Sequence, residues 1–259
     1  MKPSNQVANV HMVETFGMFD GPGIRYVLFL QGCPFQCQFC HNRDSWSQDV
    51  NTLMSIDEIL DDYSKYQSFY QKGGITVSGG EPLLQADFVL ALFKKAKEKG
   101  IHTCLDTSAA CFNPNKLQVI DQLLEVTDLV LLDIKHMDDD AHKILVGSSN
   151  KNVLAFAQYL NKKQVPTIIR HVLIPTINSE EIMLKQLRTF VDTLDNVLDI
   201  EILPYHSHGK RKWLDMGLEY PLEHILEPSK ELLEDATRIL QPFKANQNIT
   251  LKKHINIKG

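Results

Sequence analysis

Along this 259-residue chain the apolar positions follow two rhythms that take turns. Short runs rich in β-branched and aromatic residues read as strands, and longer stretches with an apolar residue every three to four positions read as helices. Residues 24–30 (IRYVLFL) predict a strand that leads into a cysteine-bearing loop. Ser55 and Glu58 have capping-box spacing, which opens a predicted helix reaching about Tyr70. Residues 75–77 predict a short strand that ends at Ser78-Gly-Gly-Glu-Pro82, and residues 86–99 a helix with Gly100 placed as its C-terminal cap. Residues 101–105 form the next predicted strand, closing on Asp106-Thr107, and residues 114–126 the next helix. A strand over 128–134 leads to Lys135, a helix covers 152–163, and a strand over 167–173 contains Arg170. A helix over 179–194, a strand over 200–203 that ends at Pro204-Tyr-His206, and a helix over 227–243 complete the alternation. Residues 249–257 are a candidate last edge strand.

Six strand–helix units in succession imply an α/β fold, a parallel sheet with helices outside. The unusual polar residues sit where these strands end. The cysteines follow the first strand, Ser78-Gly-Gly-Glu81 the second and Asp106-Thr107 the third; Asp133 and Lys135 close the fourth, Arg170 lies in the fifth and His206 follows the sixth. In a parallel barrel all these ends share one face, where barrel enzymes build their active sites. The length suits one such barrel, and no second composition regime or long linker appears, so residues 1–259 are expected to be a single domain with short terminal extensions.

Composition changes this picture little. With 43% apolar residues, 23% charged residues and a net charge of −5, broad nucleic-acid or acidic-membrane binding is disfavoured. No apolar run is long enough to span a bilayer, and the N-terminus lacks a secretory pattern, so a cytoplasmic location and no membrane partner are expected.

The five cysteines carry more information. Cys33, Cys37 and Cys40 fall within eight residues as Cys-x-x-x-Cys-x-x-Cys, while Cys104 and Cys111 stand apart. Bunched thiolates in a reducing compartment favour metal over disulfides. A four-iron cube usually takes four thiolates, so three would leave one iron open to a substrate or cofactor. A structural zinc with His41 as fourth ligand and a set of unrelated buried thiols are the bland alternatives. Cys104, in an apolar run, reads as a core thiol, although it or Cys111 could complete a cluster from a distance.

The remaining candidates each have an ordinary reading. Gly79 and Gly80 form a tight turn or let backbone approach a ligand. Asp106, Asp133, Lys135, Arg170 and His206 are solvated strand-end residues, or they bind a cation, an ammonium or a carboxylate. Asp20, in Asp-Gly-Pro-Gly, belongs to a β-turn or meets a substrate backbone, and Lys210-Arg-Lys212 before Trp213 is a solvated loop or the edge of a partner surface.

Taken together, the cysteine motif with Phe39 before its last cysteine, Ser78-Gly-Gly-Glu-Pro82, Asp20-Gly-Pro-Gly-Ile-Arg25, Cys40-His-Asn-Arg-Asp44, Leu105-Asp-Thr107, Leu132-Asp-Ile-Lys135 and Leu203-Pro-Tyr-His206 closely resemble the pyruvate formate-lyase activating enzymes of the radical S-adenosylmethionine superfamily. The likeness runs from about Val10 to about Leu240. It implies a partial parallel (β/α)6 barrel and a [4Fe–4S] cluster on Cys33, Cys37 and Cys40, whose open iron takes S-adenosylmethionine. It further implies Phe39, Gly79, Gly80, Glu81, Asp106, Lys135 and His206 around that cofactor, and a monovalent cation at Asp106, Thr107 and Asp133. Asp20, His41 and Arg170 are implied near a substrate loop. The implied reaction is reductive cleavage of the cofactor to methionine and a 5′-deoxyadenosyl radical. That radical abstracts an α-hydrogen from one glycine of pyruvate formate-lyase, with a flavodoxin-like or ferredoxin-like reductant and a monomeric chain. Ser108-Ala109 departs from the Asn-Gly that close relatives often carry. The alternatives are activation of another glycyl-radical enzyme, disfavoured because no cysteine-rich insert follows Cys40, and a non-enzymatic electron-transfer module.

Overall fold

The computed structural model describes residues 6–241. Its strands are β1 (Val7–Gly17), β2 (Arg25–Leu30), β3 (Thr52–Ser55), β4 (Gly74–Gly79), β5 (Thr103–Thr107), β6 (Leu129–Asp133), β7 (Thr167–Leu173) and β8 (Val197–Pro204). They form one sheet in the order β3-β1-β2-β4-β5-β6-β7-β8. The six strands from β2 through β4 to β8 pair in parallel, and no pairing among the described residues joins β8 back to β2. The sheet is thus the expected partial (β/α)6 barrel. The candidate strand over 249–257 lies outside the described residues.

The helices are α1 (Ile56–Lys65), α2 (Ala86–Glu98), α3 (Gln118–Glu125), α4 (Asp139–Val146), α5 (Lys151–Lys163), α6 (Glu181–Val191), α7 (Lys210–Asp215) and α8 (Lys230–Leu240). Ser55 and Glu58 cap α1 reciprocally, as their spacing predicted. Gly100 follows α2 with φ +71°, the left-handed conformation that ends a helix without a Cβ penalty. In α2, Phe88, Val89, Leu92, Phe93 and Ala96 are buried at helical spacing, so one stripe faces the sheet. Among the described residues no helix is long and apolar enough to cross a membrane.

Four of these elements were not expected: β1, β3, α4 and α7, the last beginning at Lys210-Arg-Lys212, where the ordinary reading was a solvated loop. β1 and β3 extend the β2 edge in antiparallel fashion. A register shift between Val10 and Met12 breaks the alternation of β1, which hides it as a strand. α4 fills the connection after β6. Asp138 caps it by accepting from the Ala141 N–H at 2.8 Å, and Gly147 closes it with φ +78°.

Side chains alternate across the sheet, and this positions the site. On one face, the large core lies between strands and helices. On the other, Cys104, Leu129, Leu131 and Ile168 form a small apolar plug inside the half-barrel. The same face carries Asp106 two residues beyond Cys104, Asp133 two beyond Leu131 and Arg170 two beyond Ile168. One alternating rhythm therefore builds an apolar floor and a charged rim above it.

Candidate active site at the strand ends

A cavity of about 590 Å³ opens over that rim. Cys33, Cys37 and Cys40 line it together with Asp20, Phe39, His41, Gly79, Gly80, Asp106, Thr107, Asp133, Lys135, Arg170 and His206. Almost every residue singled out from sequence therefore meets here. Cys104 is fully buried in the plug and Cys111 does not line the cavity, so neither completes the cysteine set.

The cysteine loop leaves β2 and is tied down from outside. Gly32 N–H donates to Ser45 O at 2.7 Å and Cys33 N–H to Trp46 O at 3.2 Å. The N–H groups of Gln36 and Gln38 donate to the carbonyls of Val146 and Leu145, at 2.8 and 3.0 Å. These are end-of-helix acceptors of α4 that have no partner within the helix. Trp46 Nε1–H donates to Cys40 Sγ at 3.2 Å, and Trp213 Nε1–H to Cys40 O at 3.0 Å.

Gly79 and Gly80 serve a closer purpose than the sequence suggested. A Cβ on Gly79 would fall 2.2 Å from Leu30 N, and one on Gly80 would fall 2.1 Å from Gly32 O. Bare backbone is needed for β4 to run against the start of the cysteine loop, where Glu81 N–H donates to Gly32 O at 2.8 Å. Glu81 stands behind this turn. Expected at the cofactor, it is fully buried and does not line the cavity. Its carboxylate accepts from Leu83 N–H (3.0 Å), Thr107 Oγ1 (2.5 Å), Ser108 N–H (3.1 Å) and Ser108 Oγ (2.6 Å). It staples the end of β5 to the turn after β4. Ser108, the departure noted above, supplies two of those donors, and Ala109 beside it holds a left-handed φ of +54°.

On the rim, Asp106 accepts from Ser78 Oγ at 2.6 Å and meets Arg170 at 3.4 Å, while Lys135 donates to Asp133 at 2.9 Å. Burial, helped by the nearby Asp133 carboxylate, lifts the Asp106 carboxyl to about 6 despite Arg170. Burial pulls Lys135 down, but Asp133 and the Cys37 thiol more than reverse this and hold it charged. Asp106, Thr107 and Asp133, the residues expected at a cation, all line the cavity. Thr107 turns its hydroxyl to Glu81, and the two carboxylates are engaged by different bases. His206 stacks on His41 with ring centroids 4.2 Å apart, and its Nδ1 is buried without a partner. Lys135 Nζ lies 5.4 Å from the centre of the Phe39 ring. Sequence reasoning missed Ser78 as a partner of Asp106, and Trp46 and Trp213 as supports of Cys40. Their only signal was nearness to residues already chosen.

The radical SAM superfamily model matches residues 27–187. The chain belongs to that superfamily. Within it, the chain is 46% identical to the pyruvate formate-lyase-activating enzyme of Listeria monocytogenes over 239 residues, covering 91% of this chain and 96% of that one. The Streptococcus mutans enzyme of the same name is 47% identical over 252 residues, 95% of each chain. Among solved structures, a domain of a pyruvate-formate lyase-activating enzyme from Bacteroides vulgatus aligns with TM-score 0.54 and 27% identity, over 65% of this chain and 92% of that one. A radical SAM methyltransferase from Sphaerobacter thermophilus aligns with TM-score 0.57 at 15% identity, over 83% of this chain and 63% of that one, a likeness of fold.

Activating enzymes of this superfamily use a [4Fe–4S] cluster and S-adenosylmethionine. The residues here fit both. Three cysteines face one cavity, and among the described residues no three His, Cys, Asp or Glu side chains converge as the shell of a single metal ion. Three soft thiol ligands on one cavity suit an iron–sulfur cluster with one iron left open. Burial raises all three, Cys37 to about 12, so iron must displace their protons. Beside them the rim offers carboxylates for an ammonium, Lys135 for a carboxylate and the unpartnered His206 nitrogen.

Proposed function

We propose that this chain activates pyruvate formate-lyase by placing a radical on one of its glycines. The observation that carries this is the convergence of Cys33, Cys37 and Cys40 with Asp106, Lys135 and His206 on one cavity, in a chain nearly half identical to enzymes of that name. When bound, the cluster and S-adenosylmethionine supply a 5′-deoxyadenosyl radical, and this chain's residues bind and orient. Gly79, Gly80, Phe39, Asp106, Lys135 and His206 surround the cofactor, and Glu81 holds that shell from behind. Asp20, His41 and Arg170 receive the glycine loop, since all three line the same cavity. Holding the target C–H against the radical before other bonds can react is a matter of proximity. The electron comes from a flavodoxin-like or ferredoxin-like reductant.

The test mixes reduced, iron-loaded chain with S-adenosylmethionine and pyruvate formate-lyase. A glycyl-radical EPR doublet on the partner is expected. Cofactor cleavage with no radical on that partner would move the assignment to another glycyl-radical enzyme, and no cleavage at all would defeat it.

A further inference from the structure

We propose that Trp46 and Arg43 raise the reduction potential of the cluster on Cys33, Cys37 and Cys40, an inference that rests on the cluster assignment above. The indole N–H of Trp46 donates to Cys40 Sγ at 3.2 Å. It is the one polar side-chain contact that any of the three thiols makes among the described residues. The ring is fixed rather than incidental. Its backbone carbonyl accepts from Cys33 N–H, and Trp213 meets it edge to face with centroids 5.5 Å apart. The Arg43 guanidinium lies over its face, 3.9 Å from the ring centre, and 5.5 Å from that of Trp213.

Arg43 has no ion-pair partner among the described residues, and its buried Nε has no hydrogen-bond acceptor. The neighbouring carboxylate, Asp44, is taken by Lys212 at 3.2 Å and faces His11 at 3.5 Å. A half-buried, unneutralised cation therefore stands on the aromatic ring that donates to a cluster sulfur.

Reduction adds negative charge to a cluster, and part of it resides on the cysteine sulfurs. A hydrogen bond donated to such a sulfur stabilises the reduced state more than the oxidised one, and so does a nearby cation. Both effects act in the same direction, and burial of the loop strengthens them by limiting solvent screening. If Trp46 were only packing, its N–H would have no bearing on the potential. That difference makes the two readings separable.

The experiment uses the full chain, reconstituted anaerobically, with iron content measured first. A wild-type chain that takes up no iron would defeat the cluster assignment itself. With about four irons bound, redox titration followed by EPR compares wild type with Trp46→Phe, which keeps a ring for Arg43 and Trp213 but removes the N–H. At the wild-type midpoint the reduced-to-oxidised ratio of W46F is expected to fall about tenfold, equivalent to 59 mV downward for one electron. Arg43→Gln is expected to fall in the same direction by a smaller factor. The chain has two tryptophans, so 15N-indole labelling is readily assigned. Pulsed EPR of the reduced wild type should show coupling to one indole nitrogen, retained in Trp213→Phe and absent in W46F. An unchanged W46F midpoint with iron retained, or no indole coupling in the wild type, overturns the proposal. Should W46F fail to hold its cluster, the labelled wild type and R43Q decide the matter.

Discussion

Two arginines project into the half-barrel and are held in opposite ways. Arg25, at the floor, is fully buried and bonds only neutral groups: Thr76 Oγ1 (2.5 Å), Ile75 O (2.9 Å), Pro22 O (3.1 Å) and His102 Nδ1 (3.2 Å). Arg170, on the rim, lies between the carboxylates of Asp106 (3.4 Å) and Glu201 (3.3 Å) and donates to Phe19 O at 3.1 Å. Burial pushes Arg25 below the usual guanidinium range. Arg170 suffers burial too, but Asp106, Asp133 and Glu201 raise it well above that range. The floor is a lattice of dipoles around a cation, so it fixes shape. Thr76 passes this order on by donating to Asp20 O at 2.7 Å, and with Arg170 the carbonyls of Phe19, Asp20 and Pro22 are all held from below. The rim is a set of opposed charges, which an incoming zwitterionic ligand can re-pair. Stability belongs to the first arrangement and binding to the second.

The sharpest way to break this contrast is to delete each arginine. Arg25→Met should cost about 3 kcal/mol, because several buried acceptors lose their donor at once. His102, lowered to about 3, is held neutral first by burial, which R25M leaves in place, and only second by Arg25, so this loss should stay nearly flat between pH 7 and 9. Arg170→Met should cost about 2 kcal/mol at pH 8, and the deficit should shrink as pH falls. The sign follows from Asp106. Its folded pKa is already raised to about 6, and loss of Arg170 raises it further above the unfolded value of about 3.9. Ionised Asp106 therefore burdens the fold fully above the folded pKa and is relieved as it takes up a proton. Urea unfolding of both variants across this range checks the pair. A pH-dependent R25M with a flat R170M would invert the comparison.

A smaller effect tests the rim as a binding surface. Affinity for S-adenosylmethionine should fall below about pH 6, by up to tenfold per unit, because a protonated Asp106 no longer attracts an ammonium. Calorimetric titration of iron-loaded chain should show this limb, and Asp106→Asn should remove it along with much of the affinity. A wild-type affinity that stays flat from pH 7 to 5 would mean that Asp106 does not meet the ligand's charge.

These two regions were unequally legible. Asp106, Asp133, Lys135 and Arg170 could be placed on one rim because each ends or lies within a run of alternating apolar residues, and a period of two fixes which face a side chain takes. Arg25 carried no such sign. A basic residue opening a strand reads as exposed, and its burial depends on Thr76 and His102, distant in sequence and brought near only by the pairing of β2, β4 and β5. The burial of Glu81 was hidden for a related reason. Its motif placed it at the rim, but whether a carboxylate faces the cavity or the back of it depends on which donors lie behind, here Thr107 and Ser108. The apolar pattern also hid α4, whose eight residues include three charged ones and a histidine.

That short helix gives the finest test of how the cysteine loop is supported. Asp138 caps α4 from an exposed position outside the cavity lining, and Asp138→Ala should cost about 1 kcal/mol. The final-turn carbonyls of Leu145 and Val146 hold the backbone of Gln36 and Gln38, so a frayed α4 should loosen the loop between Cys33 and Cys40. Iron should then leave D138A faster than wild type under a chelator, by a few-fold, while the cluster's potential stays where it was, because the Trp46 contact to Cys40 comes from the opposite flank. Equal iron loss from both proteins, with stability reduced as expected, would show that the loop holds its shape without α4. A lowered potential would show that the two supports are coupled. Measured beside W46F, this variant separates what keeps the thiols in place from what sets their electronic environment.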